Sequence, residues 1–462
     1  MAHLLVIESW VGSMSRLLPR ALGEGGHRFT FLTRDLHHYL RATTPADGPH
    51  PLLAAENILT ADTNDPDALL PFAERLHGLL GFDGVLSSCD YYLPQVARVA
   101  HRLGLPGPAP AAVTDACRKD LTRRRLAEAG VGGPAYALCT DRAQACAAAR
   151  EIGYPLVVKP VDLCAGMFVT EVRDEGGLLA AMRALDAFPV NARGQRRETA
   201  VLLEELLTGP EVSVETVSAD GVAHVVGITD KSVGGAPAFV ETGHMFPAAL
   251  DPAEAAAAAG TAVAALTALG LDQVVAHTEI KLTPAGPRVV EVNPRPAGNR
   301  ITELVRRVTG VDLAAAAVDV ALGRRPDLTV HPTGVASAAI AFLVPGDGQA
   351  GLLDGFDGEE DVRNDPAVVE LGLAGAGRAV RPATSNNEYL GHVMTADTGG
   401  AGARRTAERL LAGLTPRFAG ADRVAGPAAP VAPAGPTVPV APAVPAAGRA
   451  AESVAGSTAV PA

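Results

Sequence analysis

The segments His277-Thr278-Glu279-Ile280-Lys281 and Val289-Val290-Glu291-Val292-Asn293-Pro294-Arg295 alternate chemistry-bearing and apolar side chains. In a strand, a period of two puts His277, Glu279 and Lys281 on one face, and Glu291 and Asn293 on the same face of a neighbour. Arg295 continues that line if the chain stays extended through Pro294. Thr278, Ile280, Val290 and Val292 then face the other way. Two carboxylates and an amide oxygen side by side form a hard-oxygen set suited to Mg²⁺, which takes few protein ligands and leaves positions for phosphate oxygens. A solvated cross-strand ion pair is the plain alternative for Glu279 and Lys281 alone. It does not account for Glu291-x-Asn293-Pro294-Arg295 directly after an apolar strand.

Phosphate also needs cations. The chain has 39 basic residues, of which only Lys119, Lys159, Lys231 and Lys281 are lysines. Arg and Lys differ in geometry and hydration, so a lysine that persists in so Arg-rich a chain marks a place where a compact ammonium is needed. Lys159 ends the apolar run Leu156-Val157-Val158, and Lys119 opens a helix after a Pro-rich hinge; both could act on phosphate as point charges. Leu203-Glu204-Glu205-Leu206-Leu207 offers strand-edge backbone groups to a base, and Glu211 could take ribose hydroxyls.

The elements that must carry these groups are legible in outline. His3–Ile7, Arg28–Leu32 and Gly84–Ser87 read as strands, with helical spacing over 15–22 and 68–80. Strands alternating with helices imply a doubly wound parallel sheet. The Pro-rich stretch 105–110 marks a boundary. Beyond it, helical spacing over 121–128 is followed by strands over 154–160, 201–207 and 211–215. A long Ala-rich helix spans 252–269, and strands over 274–282 and 288–293 join at Thr283-Pro284-Ala285-Gly286. A helix is expected over 300–308, short strands over 336–344 and 389–394, and a last helix near 403–414. The expected units are 1–110, 111–330 and 331–420. The remainder, 421–462, is mostly Ala, Pro, Val and Gly and reads as a flexible tail.

Composition narrows the function classes. Of 462 residues, 48% are hydrophobic, which is ample for a buried core, and 4% are aromatic, too few for a base-stacking surface. The net charge of −12 disfavours a polyanion partner. No apolar run approaches the roughly 20 residues of a bilayer span, and the N-terminus lacks the basic start of a signal peptide. The five cysteines form no CxxC pair, which fits reduced thiols in a cytoplasm better than a zinc site. No GxGxxG follows the first strand, so a nicotinamide or flavin enzyme is disfavoured.

In order, these pieces resemble the ATP-grasp superfamily, from residue 1 to about 415 and closely over 115–330. The resemblance implies an α/β (α+β) chain: an N-terminal doubly wound domain, a two-part central ATP-binding domain and a small C-terminal α+β extension. It makes Lys119 and Lys159 the ATP lysines, Glu204, Glu205 and Leu207 the adenine strand and linker, and Glu211 the ribose acid, with Lys281 beside them. Glu279, Glu291 and Asn293 become ligands of Mg²⁺ (or Mn²⁺), two ions per site, and Arg295 the grip on the transferred phosphate. Glu241-Thr242-Gly243-His244-Met245-Phe246-Pro247 resembles the substrate segment of carboxylate–amine ligases, among them the L-amino-acid ligases. Lys231 precedes it at a similar distance; Glu241 would hold an ammonium or accept its proton, and His244 would orient it. The implied reaction joins a carboxylate to an amine through an acyl phosphate and releases ADP and phosphate. Small-molecule amino-acid and amine substrates are implied, with neither nucleic acid nor membrane as partner, and with a homodimer as the family-level expectation. A biotin-carboxylase-like ATP-grasp enzyme and a non-catalytic ATP-binding protein are the competing readings. One segment departs from the family: the phosphate-covering loop 161–169 has a single Gly and no Ser, and carries Met167 and Phe168.

Overall fold

Near the N-terminus, apolar runs too short to bury themselves singly assemble into a parallel sheet. The computed structural model describes residues 1–9, 12–40, 49–234 and 237–419, so the segment 421–462 lies outside the described residues. Strands β1 (His3–Ile7), β2 (Arg28–Thr33), β3 (Asn57–Thr60) and β4 (Gly84–Leu86) pair in the order β3-β2-β1-β4, all parallel. Helices Met14–Glu24, Pro66–Leu80 and Leu93–Leu103 alternate with them. The helix Pro66–Leu80 starts on an Asp65 cap and ends at left-handed Gly81. β3 is only four residues long and partly exposed, so it carries little apolar signal and was not among the expected strands.

A second sheet has the order β5-β8-β6-β7, from β5 (Tyr136–Cys139), β6 (Leu156–Pro160), β7 (Thr170–Val172) and β8 (Val201–Glu205). Helices Arg142–Ile152 and Glu175–Asp186 pack on it. β8 stops at Glu205, two residues short of the expected end, and Leu206 and Leu207 leave the ladder.

The largest sheet holds the hairpin. Further strands are β9 (Glu211–Ala219), β10 (Val222–Val233), β11 (Glu241–Phe246), β12 (Val274–Thr283), β13 (Gly286–Asn293), β14 (Ser337–Leu343), β15 (Gly351–Asp357), β16 (Val368–Leu373), β17 (Ala379–Val380), β18 (Gly391–Asp397) and β19 (Thr415–Ala419). Eight of them run β13-β12-β9-β10-β11-β14-β18-β16, and β17-β15-β19 form a small separate sheet. One face of the large sheet is apolar: Val212, Val214 and Ile280 pack on Ala258 and Ala262 of the helix Pro252–Leu269. That helix is long and apolar enough to cross a membrane by length and composition. Here its small alanines lie against the sheet, where a broad apolar side chain would hold it away.

Candidate active site

The other face of the large sheet carries the polar residues. Across the ladders, Glu279 lies opposite Glu291 and Ser213, and His277 opposite Asn293 and Glu215. Lys281 lies opposite Glu211, which in turn faces Lys231 on β10. Alternation therefore holds along β12 as the sequence implies. It fails on β13, because the register shifts between Glu279 and Ile280. Ile280 pairs with Val289, which is fully buried, whereas Val290 turns to the cavity side. A bulge inserts one residue into the period, and that is why the expectation for Val290 is overturned.

These faces line one cavity of about 870 Å³, bounded by the parallel sheet, the second sheet and the large sheet, and reaching from Glu205–Leu207 to the C-terminal strands. Its cationic side is built on buried carboxylates. Glu204 is 4% exposed. Its two oxygens accept from Arg123 Nε and Lys159 Nζ, each at 2.6 Å, and Arg123 also donates to the Val290 carbonyl at 2.6 Å. Burial alone would push the Glu204 carboxyl up; Arg123 and Lys159 outweigh it and hold it below the usual range. Burial, with Arg123 nearby, lowers the Lys159 pKa despite its partner. Glu204 is thus an anchor for Lys159, while Leu206 and Leu207 line the cavity beyond the end of β8. Glu205 is exposed and pairs with the Ala135 backbone. Lys119 bridges Glu291 at 2.9 Å and the Leu163 carbonyl at 2.6 Å.

Loop 161–169 lines the same wall through Leu163, Cys164, Ala165, Gly166 and Val169. Phe168 does not obstruct it: at positive φ, its ring turns back onto Phe188, just beyond the helix Glu175–Asp186, 5.0 Å away. Arg295 lines the cavity by another route than extension. Its N–H bonds the Asn293 carbonyl at 2.8 Å, so the chain turns at Pro294. Its guanidinium meets Asp90 at 2.6 Å. Asp90 follows β4 at the carboxyl end of the parallel sheet, the edge where open α/β sheets bind ligands.

A buried acidic cluster forms the far side. Lys231 Nζ, its side chain 1% exposed, lies 3.1 Å from Glu211, 2.9 Å from Glu241 and 2.6 Å from Glu279. Burial works against the charges of Lys231, Glu241 and Glu279. Even so, Lys231 is held well above its usual pKa and Glu241 well below its own, because each offsets the other's charge. Glu279 is brought to about 2, burial being overcome by Lys231 and His277. His277 has Nδ1 3.0 Å from both Glu215 oxygens and Nε2 3.2 Å from Glu279. Burial would lower its pKa; Glu215 and Glu279 raise it to about 9.

The segment around His244 is the strand β11. His244 is fully buried, 3.3 Å from Glu241 and edge-on to Phe342. His244 and Lys231 therefore stand behind Glu241 rather than at the cavity surface, whereas Glu241 itself lines the cavity and accepts a hydrogen bond from Asn299. Glu211 and Lys281 pair at 3.2 Å on the cavity wall. Among the described residues no three His, Cys, Asp or Glu converge as a self-sufficient metal site. The opposed Glu279 and Glu291 with the Asn293 amide instead fit a Mg²⁺ whose remaining positions go to phosphate oxygens. Arg123, Asp90, Asn299, Glu215, Glu370 and His392 were not among the expected site residues. Only the position of Arg123 one turn after Lys119 hinted at its place.

Family models match three segments: an ATP-grasp N-terminal domain over 22–107, an ATP-grasp domain over 152–303, and L-amino acid ligase C-terminal domain 2 over 341–419. The chain is 31% identical to uncharacterized protein y4rH of Sinorhizobium fredii over 367 residues, 78% of this chain and 73% of that one. It is 30% identical to carnosine synthase 1 of Gallus gallus over 332 residues, 67% of this chain but only 36% of that protein, so it spans about a third of that relative's length. The crystal structure of L-amino acid ligase from Bacillus licheniformis superposes with a TM-score of 0.75 at 24% identity, covering 90% of this chain and 99% of that one. The fold and the site thus define an ATP-grasp architecture, and the chain belongs to the ATP-grasp family. Within it, the C-terminal region carries the domain described for L-amino acid ligases.

Proposed function

We propose that this chain is an ATP-dependent carboxylate–amine ligase that forms an amide through an acyl phosphate and releases ADP and phosphate. The observation that carries it is the single cavity running from Leu206–Leu207, past the Glu279/Glu291/Asn293 face and Arg295, to Glu241 and the C-terminal strands. ATP and two small substrates then share one enclosed space. The L-amino acid ligase C-terminal match favours this reading over a carboxylase, and the transfer apparatus favours it over a mere ATP binder.

In this reading the adenine lies along Leu206 and Leu207, Glu211 takes ribose hydroxyls, and Lys119 and Lys159 direct ammonium groups at phosphate. Glu279, Glu291 and Asn293 would hold Mg²⁺, two ions in the full site, which supplies neutralisation of the phosphoryl oxygens. Arg295, oriented by Asp90, turns its guanidinium edge to the transferred group. A substrate carboxylate oxygen attacks the γ-phosphorus as ADP leaves. The neutral amine nitrogen then attacks the acyl carbon, phosphate leaves with the acyl C–O electron pair, and the proton shed by the nitrogen leaves on that phosphate. Both steps concentrate negative charge on oxygens facing Lys119, Lys159 and Arg295. Glu241 lies so far below the usual carboxylate range that it is a weak base; its part is to hold the ammonium, with Lys231 and His244 orienting it from behind. We take the units to be 1–110, 111–330 and 331–420, the location cytoplasmic and the assembly a homodimer.

The test is ADP release by wild type and Glu291→Ala across a pairwise amino-acid panel, with mass spectrometry on each active pair. A signal that needs both substrates, vanishes in the variant and yields the summed mass minus water supports the ligase. ADP release that depends on bicarbonate in place of an amine would replace it with the carboxylase.

A further inference from the structure

The end of the cavity away from the phosphate side is walled by the C-terminal strands, and its charged groups differ in one respect. Arg378 donates to the carbonyls of Tyr389 at 2.8 Å and Asn387 at 3.4 Å, so its guanidinium is taken up by backbone. Arg300 is compensated twice, by Glu303 and by Glu370, at 2.5 Å each. Glu370 is compensated on one side only. Its Oε1 accepts from Arg300 and lies 3.0 Å from His392 Nε2, whereas no described residue hydrogen-bonds Oε2. The side chain is 33% exposed and lines the cavity.

The surrounding chain is built to hold Glu370 there. Asn299 and Arg300 both take positive φ, at 46° and 68°, a costly conformation for side-chain-bearing residues and one that concentrates at functional sites. It turns the chain from the strand carrying Glu291 and Asn293 so that Arg300 reaches Glu370. Gly372, two residues on along β16, faces His392 across the ladder. A Cβ at Gly372 would sit 2.4 Å from the imidazole Cε1, so only glycine lets the ring occupy that space beside Glu370. The His392 hydrogen bond, with Arg300 nearby, keeps Glu370 ionised by holding its pKa down. On the same wall, the rings of Phe342 and Tyr389 stack at 4.3 Å and give a flat apolar surface for the stem of a bound group.

We propose that Glu370 recognises the side chain of the amine substrate, and that this substrate is an amino acid whose side chain donates N–H: an ammonium, a guanidinium or an imidazole. The accessible Oε2 accepts the donor, and Arg300 and His392 fix the carboxylate so that this oxygen points one way. Arg300 is shared between Glu303 and Glu370 and meets Glu370 through Oε1 alone, so Oε2 has no donor of its own; an N–H-bearing side chain completes its pairing, whereas an acidic side chain meets it with like charge. This inference rests on the ligase reading.

The test compares L-arginine, L-lysine, L-histidine, L-leucine and L-glutamate as amines, each with the carboxylate partner found in the pairwise screen. The proteins are wild type, Glu370→Gln, Glu370→Leu and Glu303→Gln. Wild type should use at least one of the three basic amino acids with kcat/KM tenfold or more above L-leucine and L-glutamate. Both Glu370 variants should lose roughly ten- to a hundredfold of that preference through KM, the size of one charge-assisted hydrogen bond, with the KM for ATP little moved. A wild type that prefers L-leucine or L-glutamate overturns the inference. So does an equal fall for all amines with a lowered Tm in both Glu370→Gln and Glu303→Gln, the signature of a strut between the C-terminal strands and the helix Ile301–Thr309. If wild type releases no ADP with any pair, the ligase reading fails. Equilibrium dialysis of labelled L-arginine, L-lysine and L-histidine then decides: weaker binding of any one to Glu370→Leu sustains the site, and equal binding of all three removes it.

Discussion

Glu204→Gln tests whether the buried triad Arg123–Glu204–Lys159 is what holds the ATP-facing wall together. The substitution keeps the shape and removes the charge, leaving two cations 2% and 4% exposed against a neutral amide. Deleting one partner of a buried ion pair costs about 3–5 kcal/mol, because the charge left behind is desolvated and unpaired. Lys159 offers a partial escape. Burial already lowers its pKa, so without Glu204 it can shed its proton, at about 1.4 kcal/mol per unit that its pKa falls below the ambient pH avoided. Arg123 has no such escape. The expected loss is therefore near the lower bound, about 3 kcal/mol, which for a chain of this size lowers Tm by about 3–4 °C. The assay is urea unfolding of wild type, Glu204→Gln, Lys159→Met and the double variant. Since Lys159→Met removes one of the two stranded cations, the double variant should recover part of the loss, with a coupling of at least about 1.5 kcal/mol. Single effects that add within about 0.5 kcal/mol, or a Glu204→Gln Tm within 1 °C of wild type, would refute the reasoning.

Glu291→Ala should abolish ADP release while moving Tm only slightly, since Glu291 is a quarter exposed and its partner Lys119 keeps the Leu163 carbonyl; a variant that does not fold would make the residue structural. Lys159→Arg should cut activity at least tenfold despite the retained charge, because a planar guanidinium must enter a slot where Lys159 is 4% exposed; a wild-type rate would remove the case for a required ammonium. His277→Asn tests the raised imidazole pKa. A base whose folded pKa is about 9 against 6.5 unfolded contributes stability that is complete below pH 6.5 and lost as pH rises through 9. The stability gap between wild type and His277→Asn should therefore shrink steadily between pH 6.5 and 9.5 in urea unfolding, and a gap that stays constant counts against an ionised His277. Cys89 is fully buried and its thiol is pushed up to about 12, so it should resist iodoacetamide at pH 8 in the folded protein and react only on unfolding, as followed by peptide mass spectrometry.

What the sequence determined by itself is what local backbone geometry determines. A period of two along β12 put His277, Glu279 and Lys281 on one face, and the facing strand supplied Glu291 and Asn293. The helix Pro252–Leu269 has the bounds expected of it and Pro66–Leu80 the expected end, whereas Arg142–Ile152, Glu175–Asp186 and Leu313–Ala321 were not among the expected helices; the scarcity of lysine singled out four residues that all lie in or just behind one site. The limits of that reading are equally local. A one-residue bulge reversed Val290, a turn at Pro294 broke the extended path to Arg295, and β11 was hidden because His244 and Gly243 are not strand-like by type. Tertiary structure alone decided the partners: Arg295 with Asp90, Arg123 and Lys159 on Glu204, Lys231 beneath three carboxylates, and Arg300 with Glu370. Those pairs join residues up to 205 positions apart. The Lys231 cluster follows from the order β13-β12-β9-β10-β11-β14-β18-β16, and the others from how the separate sheets and their loops meet around the cavity; both are set by how whole apolar faces pack, a sum over the chain that no short stretch of residues contains.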